Sequence, residues 1–486
     1  MIEERVTAQR PRDVGVAQPP ASERAAHRRP WFAWLIGTVA VIGVALLFVL
    51  VTGMRPAYDA YGWLVWGRQA LHLNLGTNSA PSWKPLTFLF TLPYAIAGRG
   101  ALYMWMVTAV AGAVAGAVFG ARIAFRLTAD STRRFVPYVA ATCAGLGVLG
   151  INGYGHMILI AYADPLIVAL CLGAIDCQLS GRPRLAWLLL VLAACGRPEA
   201  WLVVGAYAVW SWRAQPAMRG LTVIGVGAIG ALWFVIPALT SPSALISGDI
   251  AQTSGRPVTG DKVGSVFDRY FSLYEFPMQL AALVAVLVAV IERRTRWLVL
   301  AAAAVAWVGV EMAFAFHGWP ASPRYMFEPA ALMAVLAGAG IGRLLDVAPR
   351  TAVVRWAGAA VAIGLLVAIV PQARIRGRLL HNGIVLGHSW ARQIHRLQGV
   401  IAREGGQKRI LACGRVVTEI PFQSILAWEI GENVEAVGWN PPAATHQPRP
   451  TILFEPTGAG WVISVYHIAD RDRGRCDSLP THTSLT

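Results

Sequence analysis

The chain has 486 residues and a formal net charge of +16, yet only 14% of its residues are charged while 56% are hydrophobic. A soluble domain is about 45–50% apolar and about 25% charged. This composition excludes a soluble enzyme, a disordered protein and a nucleic-acid-binding protein with a basic face. It is typical of a polytopic membrane protein, in which arginine placement reports topology first.

The apolar segments predict about eleven transmembrane helices. Residues 1–30 are basic and read as a disordered cytoplasmic tail. Residues 31–52 are long enough to span and lack a convincing cleavage site, so we expect a retained first helix. The other ten apolar runs lie at 101–121, 136–152, 165–178, 185–195, 199–212, 221–239, 276–291, 298–316, 325–342 and 352–371.

Three apolar runs are short for a membrane span. Residues 86–97 contain Pro93 and are short for a span, which predicts a re-entrant or interfacial helix on the outer side. The runs at 185–195 and 199–212 flank a Gly-Arg-Pro-Glu sequence, and we expect two half-spans that meet at membrane depth.

Arginine placement predicts the topology. Most basic residues fall in loops that this assignment places in the cytoplasm, which indicates an inside N-terminus and an outside C-terminus in a bacterial inner membrane. Arg374, Arg376 and Arg378 directly follow the last span and favour the opposite side for the C-terminal part.

The chain divides into the tail 1–30, a transmembrane domain 31–371 and a C-terminal part 372–486. Residues 374–404 predict an amphipathic helix on the membrane surface. The pattern beyond it indicates a small α/β domain, with strands at 409–414, 434–439, 451–456 and 461–468 and a helix at 421–430. The fold class is therefore an all-α polytopic membrane protein with a long outer first loop and a small C-terminal α/β domain.

The six cysteines fall into two groups. Cys413 and Cys476 lie in the polar C-terminal part, where a disulfide is plausible if that part faces an oxidising compartment. The others lie in apolar runs and are typical of small core residues. No Cys or His spacing indicates a metal site.

The first outer loop, residues 53–99, holds the first candidate site. Asp59 follows the first span closely, among the aromatic residues Tyr58, Trp63 and Trp83. A carboxylate is suited to removing a proton from a hydroxyl, and aromatic faces are suited to sugar rings. The alternative is a loop aspartate at an interfacial aromatic belt.

Two later segments carry further candidates. Asp164, before Pro165, fits either a helix cap or a second site carboxylate. His156 is more typical of an interfacial histidine than of a ligand. Arg197 is either a phosphate-binding residue or a charge neutralised by Glu199.

The last candidates lie near the ninth and tenth spans. His317 and the pair Arg324–Tyr325 mark a second outer cationic site, and Glu311 lies inside the ninth span, where it pairs with an arginine or tunes the site. The loop 240–275 is either a mobile flap over a site or an ordinary solvated loop.

Together these residues resemble the C-fold (GT-C) membrane glycosyltransferases that use polyprenyl-phosphate sugars, such as the protein mannosyltransferases and the lipid A aminoarabinose transferases. The resemblance covers most of residues 31–345. It rests on five motifs: Asp59, Trp83–Leu86, Ala163–Leu166, Arg197–Glu199 and Arg324–Tyr325.

The resemblance implies a role for each matching residue. Asp59 corresponds to the catalytic base, Asp164 to the acceptor-side carboxylate, and Lys84, Arg197 and Arg324 to donor-phosphate-binding residues. Lys84 replaces the residue that is more usual in the family. Asp59 lacks a neighbouring acidic partner, so no metal ligands are predicted, although a divalent metal stays open.

The implied reaction is an inverting transfer of a monosaccharide from a polyprenyl-phosphate donor to a glycan, lipid or protein hydroxyl. Its partners are the lipid-linked donor, the acceptor and membrane lipid, without nucleic acid. Two alternatives stay open: a transporter or flippase of lipid-linked sugars, and a non-catalytic subunit of envelope assembly. The absence of an internal repeat and the long outer first loop disfavour a transporter.

Overall fold

The computed structural model describes residues 30–254, 257–346, 352–441, 450–458 and 460–466. The predicted N-terminal tail lies outside these residues except for its last position. The described chain consists of a helical bundle followed by a small C-terminal unit, which we define as residues 407–441, 450–458 and 460–466.

The apolar runs form helices because a helix satisfies its backbone hydrogen bonds within one segment, as lipid requires. The first ten helices are α1 (Pro30–Thr52), α2 (Tyr58–Leu71), α3 (Pro85–Tyr94), α4 (Gly100–Leu127), α5 (Val136–Leu149), α6 (Tyr154–Leu159), α7 (Asp164–Leu179), α8 (Pro183–Gly196), α9 (Ala200–Ala214) and α10 (Arg219–Gly230). A π-helical turn, Ala231–Val235, joins α10 to α11 (Ile236–Thr240).

The second half of the bundle continues with α12 (Ile246–Ser254), α13 (Lys262–Phe271), α14 (Phe276–Ile291), α15 (Thr295–Phe316), α16 (Phe327–Leu345) and α17 (Ala352–Arg403). The loop predicted at 240–275 therefore contains two helices. The helices α13 and α14 meet at a bend of 96°.

Each of the eleven predicted apolar runs is helical. Within the described residues, six helical segments are long and apolar enough to cross a membrane by themselves, and the bent pair α13–α14 raises this number to seven. The chain is thus a multi-pass membrane protein by the length and composition of its helices. Five predicted runs form shorter helices, so the count of eleven spans stays a prediction.

Helix α16 forms the centre of the bundle, and 94% of its most apolar stretch is buried. Glycines allow its neighbours to approach closely. A Cβ at Gly338 would lie 2.5 Å from the carbonyl oxygen of Ala140 in α5, and one at Gly340 would lie 2.1 Å from that of Ala281 in α14. These contacts fix α16, and the site residues at its start, against both neighbouring helices.

Helix α17 is continuous over 52 residues, with Pro371 inside it. The expected separate amphipathic helix at 374–404 is therefore the continuation of the last apolar run. Arg376 forms an ion pair with Glu275 and lies over the ring of Tyr274. This pairing gives Arg376 a local structural reason for its position, independent of topology.

The C-terminal unit is α/β, as predicted, but two of its predicted strands are wrong. Residues 409–414 fall mainly in helix α18 (Gln407–Cys413), and residues 434–439 form a 3₁₀ turn with a single bridge from Gly438 to Val417. A short apolar run fits a helix or a strand equally well, which explains the error at α18.

The described sheet has three strands in the order β1 (Arg415–Thr418), β2 (Thr451–Pro456) and β3 (Trp461–Tyr466). The β1–β2 pair is parallel and the β2–β3 pair antiparallel. Helix α19 (Gln423–Ile430) matches the predicted helix. Cys413 is disulfide-bonded, and Cys476 lies outside the described residues.

Candidate functional site

A cavity of about 680 Å³ brings together residues from distant parts of the sequence. Its charged and tyrosine lining comprises Tyr58, Asp59, Lys84, Tyr162, Arg197, Glu199, Asp249, Arg324 and Tyr325. Its aromatic wall comprises Trp201, Trp233, Phe234, Phe314 and Trp319. The cavity thus combines a polar floor with a largely apolar side.

Asp59 lies in the first turn of α2, where the positive end of the helix dipole favours a carboxylate. Its Oδ2 is 3.8 Å from Nη1 of Arg324. The side chains of Asp59 and Arg324 keep 18% and 24% exposure respectively. The pair is therefore accessible from the cavity, and the Asp59 carboxylate is open to a ligand.

Arg324 lies in a short 3₁₀ turn, Pro323–Met326, that leads into α16. Its guanidinium lies 5.1 Å from the ring centre of Tyr162 and 5.3 Å from that of Tyr325. Arg197 approaches the same Tyr325 ring at 4.6 Å. Two guanidiniums therefore share one aromatic ring, which fixes the direction of Arg324 towards Asp59.

Lys84 precedes α3, whose first residue is Pro85. Its Nζ lies 5.5 Å from the ring centre of Trp63. Burial, and then the nearby charge of Arg324, lower the pKa of Lys84 to about 8, while Asp164 and Asp59 raise it. Within the described residues, its ammonium makes no ion pair with a carboxylate, so it is available to an anion.

Arg197 lies at the tip of a helical hairpin. Trp187 of α8 stacks on Tyr207 of α9 at 6.0 Å, and the Tyr207 hydroxyl reaches the carbonyl of Pro183 at 3.4 Å. The two helices are therefore antiparallel, and the Gly-Arg-Pro-Glu segment between them enters the site. This arrangement brings the two predicted half-spans together at Arg197.

The Arg197 guanidinium is surrounded by carboxylates. It pairs with Asp164, with Glu328 at 3.4 Å and with Glu199 at 3.8 Å. Arg197 is 3% exposed, and it also donates to the carbonyl oxygen of Arg324 at 3.1 Å. Its charge is thus neutralised inside the protein, as one of the two sequence interpretations expected, and it supports Arg324 directly.

The other predicted carboxylates lie around Arg197. Asp164 is the first residue of α7, one position after the N-cap residue Ala163, so it is not the cap residue itself. Glu311 is 1% exposed and lies close to Glu199. Glu328, in the first turn of α16, was missed by the sequence analysis, although an acidic residue opening an apolar helix is a detectable signal.

Asp164 and Glu311 lie beside Arg197 but outside the cavity lining, and four further predicted residues also lie outside it. Trp63 and Trp83 are fully buried behind it, and Trp83 donates to the carbonyl of Leu232 at 3.0 Å. His156 is half-buried in α6. His317 is exposed and its Nδ1 lies 2.8 Å from the carbonyl of Ala313, one helical turn earlier. The two histidines therefore have no direct place in this site.

Helix α12 covers one side of the cavity. The Ser82 hydroxyl donates to the carbonyl of Ser247 at 3.0 Å, and the Ser247 hydroxyl donates to the carbonyl of Trp83 at 2.8 Å. Asp249 and Gln252 of the same helix line the cavity. These hydrogen bonds attach α12 to the first outer loop. Helix α12 belongs to the segment 240–275, which the sequence predicts as either a mobile flap or a solvated loop.

Among the described residues, no group of three or more His, Cys, Asp or Glu side chains has the arrangement of a metal site. The chemistry that the cavity residues themselves support is acid–base and electrostatic: the accessible carboxylate of Asp59 lies near the cations Arg324 and Lys84, and the exposed carboxylate of Asp249 also lines the cavity.

No protein-family model matches the chain, and no curated protein matches its sequence. Solved structures that are similar to it include two of one protein. The crystal structure of ArnT from Cupriavidus metallidurans bound to undecaprenyl phosphate has 14% identity and a TM-score of 0.48, with 92% of this chain and 95% of that chain covered. The apo crystal structure of the same ArnT has 14% identity and a TM-score of 0.49, with 88% and 93% covered.

Proposed function

We propose that the chain is a membrane glycosyltransferase that moves a monosaccharide from a polyprenyl-phosphate donor to a hydroxyl, with inversion at the anomeric carbon. The observation that carries this proposal is the shared cavity of Asp59, Arg324 and Lys84. A base for the acceptor and cations for a phosphate are the two requirements of such a transfer.

The reaction is a single displacement. The acceptor oxygen attacks the anomeric carbon and its proton passes to the Asp59 carboxylate. The bond between the anomeric carbon and the phosphate oxygen breaks, and its electron pair leaves with the polyprenyl phosphate. Lys84 and Arg324 stabilise the negative charge that develops on the leaving phosphate.

The roles of the three basic residues differ because their partners differ. Arg197 is almost fully buried, and its guanidinium forms ion pairs with three carboxylates. It also donates to the carbonyl oxygen of Arg324, so it acts as a positioning residue for Arg324. Lys84 and Arg324 face the cavity and are the donor-phosphate-binding residues of this proposal. Asp164 then supports Arg197 rather than contacting the acceptor.

The apolar side of the cavity fits a lipid-linked donor. Trp201 of α9 and Trp233 and Phe234 of the π-helical turn line it. Phe234 is 38% exposed on its outer side, as expected for a wall that continues to the lipid-facing surface. We propose that the polyprenyl chain leaves the cavity along this wall, while the sugar occupies the polar floor.

The proposed orientation follows the charge distribution of the sequence. The N-terminus lies in the cytoplasm, and the cavity and the C-terminal unit face the outer side of a bacterial inner membrane. The acceptor is a glycan, lipid or protein hydroxyl on that side. The α5–α6 turn lies at the same end of the bundle as the end of α13, because the Asn152 side chain donates to the carbonyl of Ser272 at 3.3 Å.

The proposal is tested with purified protein and a panel of radiolabelled polyprenyl-phosphate monosaccharides, with a membrane-glycan extract as acceptor. The wild type should transfer one sugar, and Asp59→Asn should lower kcat by about 10²- to 10⁴-fold, the usual contribution of a general base. Asp268→Asn, which changes an exposed carboxylate in α13, is the matched control and should keep full activity.

Consumption of no donor by the wild type would contradict the proposal. Donor binding without turnover would favour an assembly subunit. Movement of intact donor between the leaflets of a vesicle, equal in wild type and Asp59→Asn, would favour a flippase.

A further inference from the structure

The C-terminal unit contacts the helix that carries Asp59. Helix α19 lies beside α2, although the two are more than 350 positions apart in the sequence. The Ser424 hydroxyl donates to the carbonyl oxygen of Tyr58, and the Tyr58 hydroxyl donates to Oε1 of Gln423 at 2.9 Å. Two hydrogen bonds therefore hold the residue immediately before Asp59.

The Gln423 side chain is itself fixed. Its Nε2 donates to the carbonyls of Val434 at 3.1 Å and Val437 at 2.7 Å. Gln423 is 5% exposed and Ser424 is fully buried. With both amide hydrogens engaged, Oε1 is directed at the Tyr58 hydroxyl as an acceptor. This polar contact is consequently specific in direction, unlike a general apolar interface.

The other ends of the two helices are also joined. Arg68, in the last turn of α2, donates to the carbonyls of Trp428 at 2.8 Å, Ala427 at 3.1 Å and Glu432 at 3.2 Å. The carbonyls of Trp428 and Ala427 lie in the last turn of α19 and that of Glu432 lies two residues beyond its end, so Arg68 binds the C-terminal end of this helix. Helix α19 is thus anchored to α2 near both of its ends.

A third anchor comes from α17. Trp390 donates its indole hydrogen to the carbonyl of Pro56 at 3.2 Å, just before α2 begins. The Trp390 ring stacks on Phe422 at 4.5 Å, and Phe422 meets Trp461 of β3 at 4.8 Å. The turn into α2 is therefore attached to the packed core of the C-terminal unit.

We propose that the C-terminal unit is a positioning element for Asp59. It acts on Tyr58 through Ser424 and Gln423, and on Pro56 through Trp390 of α17, on which Phe422 of the unit stacks. These contacts hold the start of α2 so that the Asp59 carboxylate stands beside Arg324. The unit also contributes Ile420 to the cavity lining. This inference rests on the proposed function, since it assigns Asp59 as the base.

A positioning role differs from a structural one in its kinetic signature. Loss of orientation at the base slows the chemical step and leaves donor binding unchanged, because Lys84 and Arg324 do not depend on α19. Ser424→Ala removes one hydrogen bond to Tyr58. Tyr58→Phe removes the hydrogen bond to Gln423, together with the longer contact of the same hydroxyl to the carbonyl of Ala80 at 3.3 Å, and keeps the ring that lines the cavity.

The experiment measures kcat, donor KM and melting temperature of the full chain. We expect each variant to lower kcat roughly tenfold, because each variant loses a hydrogen bond that orients the start of α2. Donor KM should stay within about twofold. Ser464→Ala, a buried serine of β3 away from α2, is the matched control and should keep wild-type kcat. Wild-type kcat in both Ser424→Ala and Tyr58→Phe would overturn the proposal.

A second measurement does not require transferase activity. In Asp59→Cys, the rate of modification at position 59 by a charged thiol reagent, located by mass spectrometry, reports the freedom of this position. Addition of Ser424→Ala should raise that rate several-fold, and an unchanged rate would overturn the positioning role. A wild type that transfers no sugar while this rate still rises would contradict the proposed function alone.

Discussion

Asp164 and Asp176 lie on the same helix, α7, about 18 Å apart along its axis at 1.5 Å per residue. Both carboxylates are buried and both form ion pairs with arginines. Asp176 pairs with Arg122 and Arg126 at 3.1 Å, and these two side chains keep 40% and 37% exposure. Asp164 pairs with Arg197, which is only 3% exposed and is shared with two glutamates.

The difference separates the end of the bundle that holds the proposed site from the opposite end. At the Asp176 end, arginines reach outwards and retain water, as expected for basic residues at a membrane boundary. At the Asp164 end, a guanidinium is buried at a high desolvation cost, next to a cavity with two further cations. This costly burial of the Arg197 charge occurs where the bundle faces Asp59, Arg324 and Lys84.

The largest expected difference between the two ends is in stability. Arg197→Met leaves three buried carboxylates without a partner and should cost about 3–5 kcal/mol, the usual effect of breaking a buried ion pair. Asp176→Asn leaves two arginines that water can reach and should cost about 1–2 kcal/mol. Thermal unfolding in detergent measures both, and equal losses would contradict the comparison.

The next effect is a pH dependence at the end that holds the proposed site. The pKa of Lys84 is lowered to about 8, so its ammonium is present below that pH and is lost above it. If the ammonium binds the donor phosphate, donor KM should rise roughly tenfold between pH 7 and pH 9. Lys84→Met should raise KM at pH 7 and remove this rise. A wild-type KM that is flat over this range would separate Lys84 from the donor.

The smallest effect belongs to the ion pairs of the opposite end. Arg294 pairs with Asp130 at 2.8 Å and with Glu292 at 2.6 Å, and the Asp130 side chain is 57% exposed. Solvent-exposed pairs contribute little, so Arg294→Ala should change stability by less than about 1 kcal/mol and leave transfer unchanged. A loss of transfer in this variant would show that the two ends are coupled.

The helices of the bundle could be predicted because their signal is local. All eleven apolar runs form helices, since hydrophobic composition and length are read within one segment. The same local reading failed at 409–414, where helix α18 follows Gly405 and Gly406, both with positive φ. Those two glycines end α17 and allow the chain to turn into a new helix, which a six-residue apolar run does not reveal.

The site could be predicted only in part. Asp59, Arg197 and Arg324 are charged residues at the outer edge of the predicted membrane, and Lys84 belongs to a motif of the family resemblance. All four line one cavity. The partners of Arg197 could not be assigned, since Glu328 lies 131 positions away in the sequence and meets it only through the packing of α16.

The contacts of Tyr58 show the same limit more strongly. Gln423 and Ser424 open a short helix whose residues are all buried, and nothing in their local sequence marks them as neighbours of Asp59. Polar residues that act through long-range hydrogen bonds carry no periodic signal. The bundle therefore follows from the sequence more directly than the arrangement around its catalytic candidate.

The central claim is that one cavity contains both a base for the acceptor and two cations that bind the donor phosphate. The most direct test measures the donor dissociation constant and kcat separately for Asp59→Asn and Lys84→Met. The account predicts that Asp59→Asn binds donor as the wild type does and loses turnover, whereas Lys84→Met binds donor at least tenfold more weakly. Normal turnover in Asp59→Asn, or unchanged donor affinity in Lys84→Met, would contradict it.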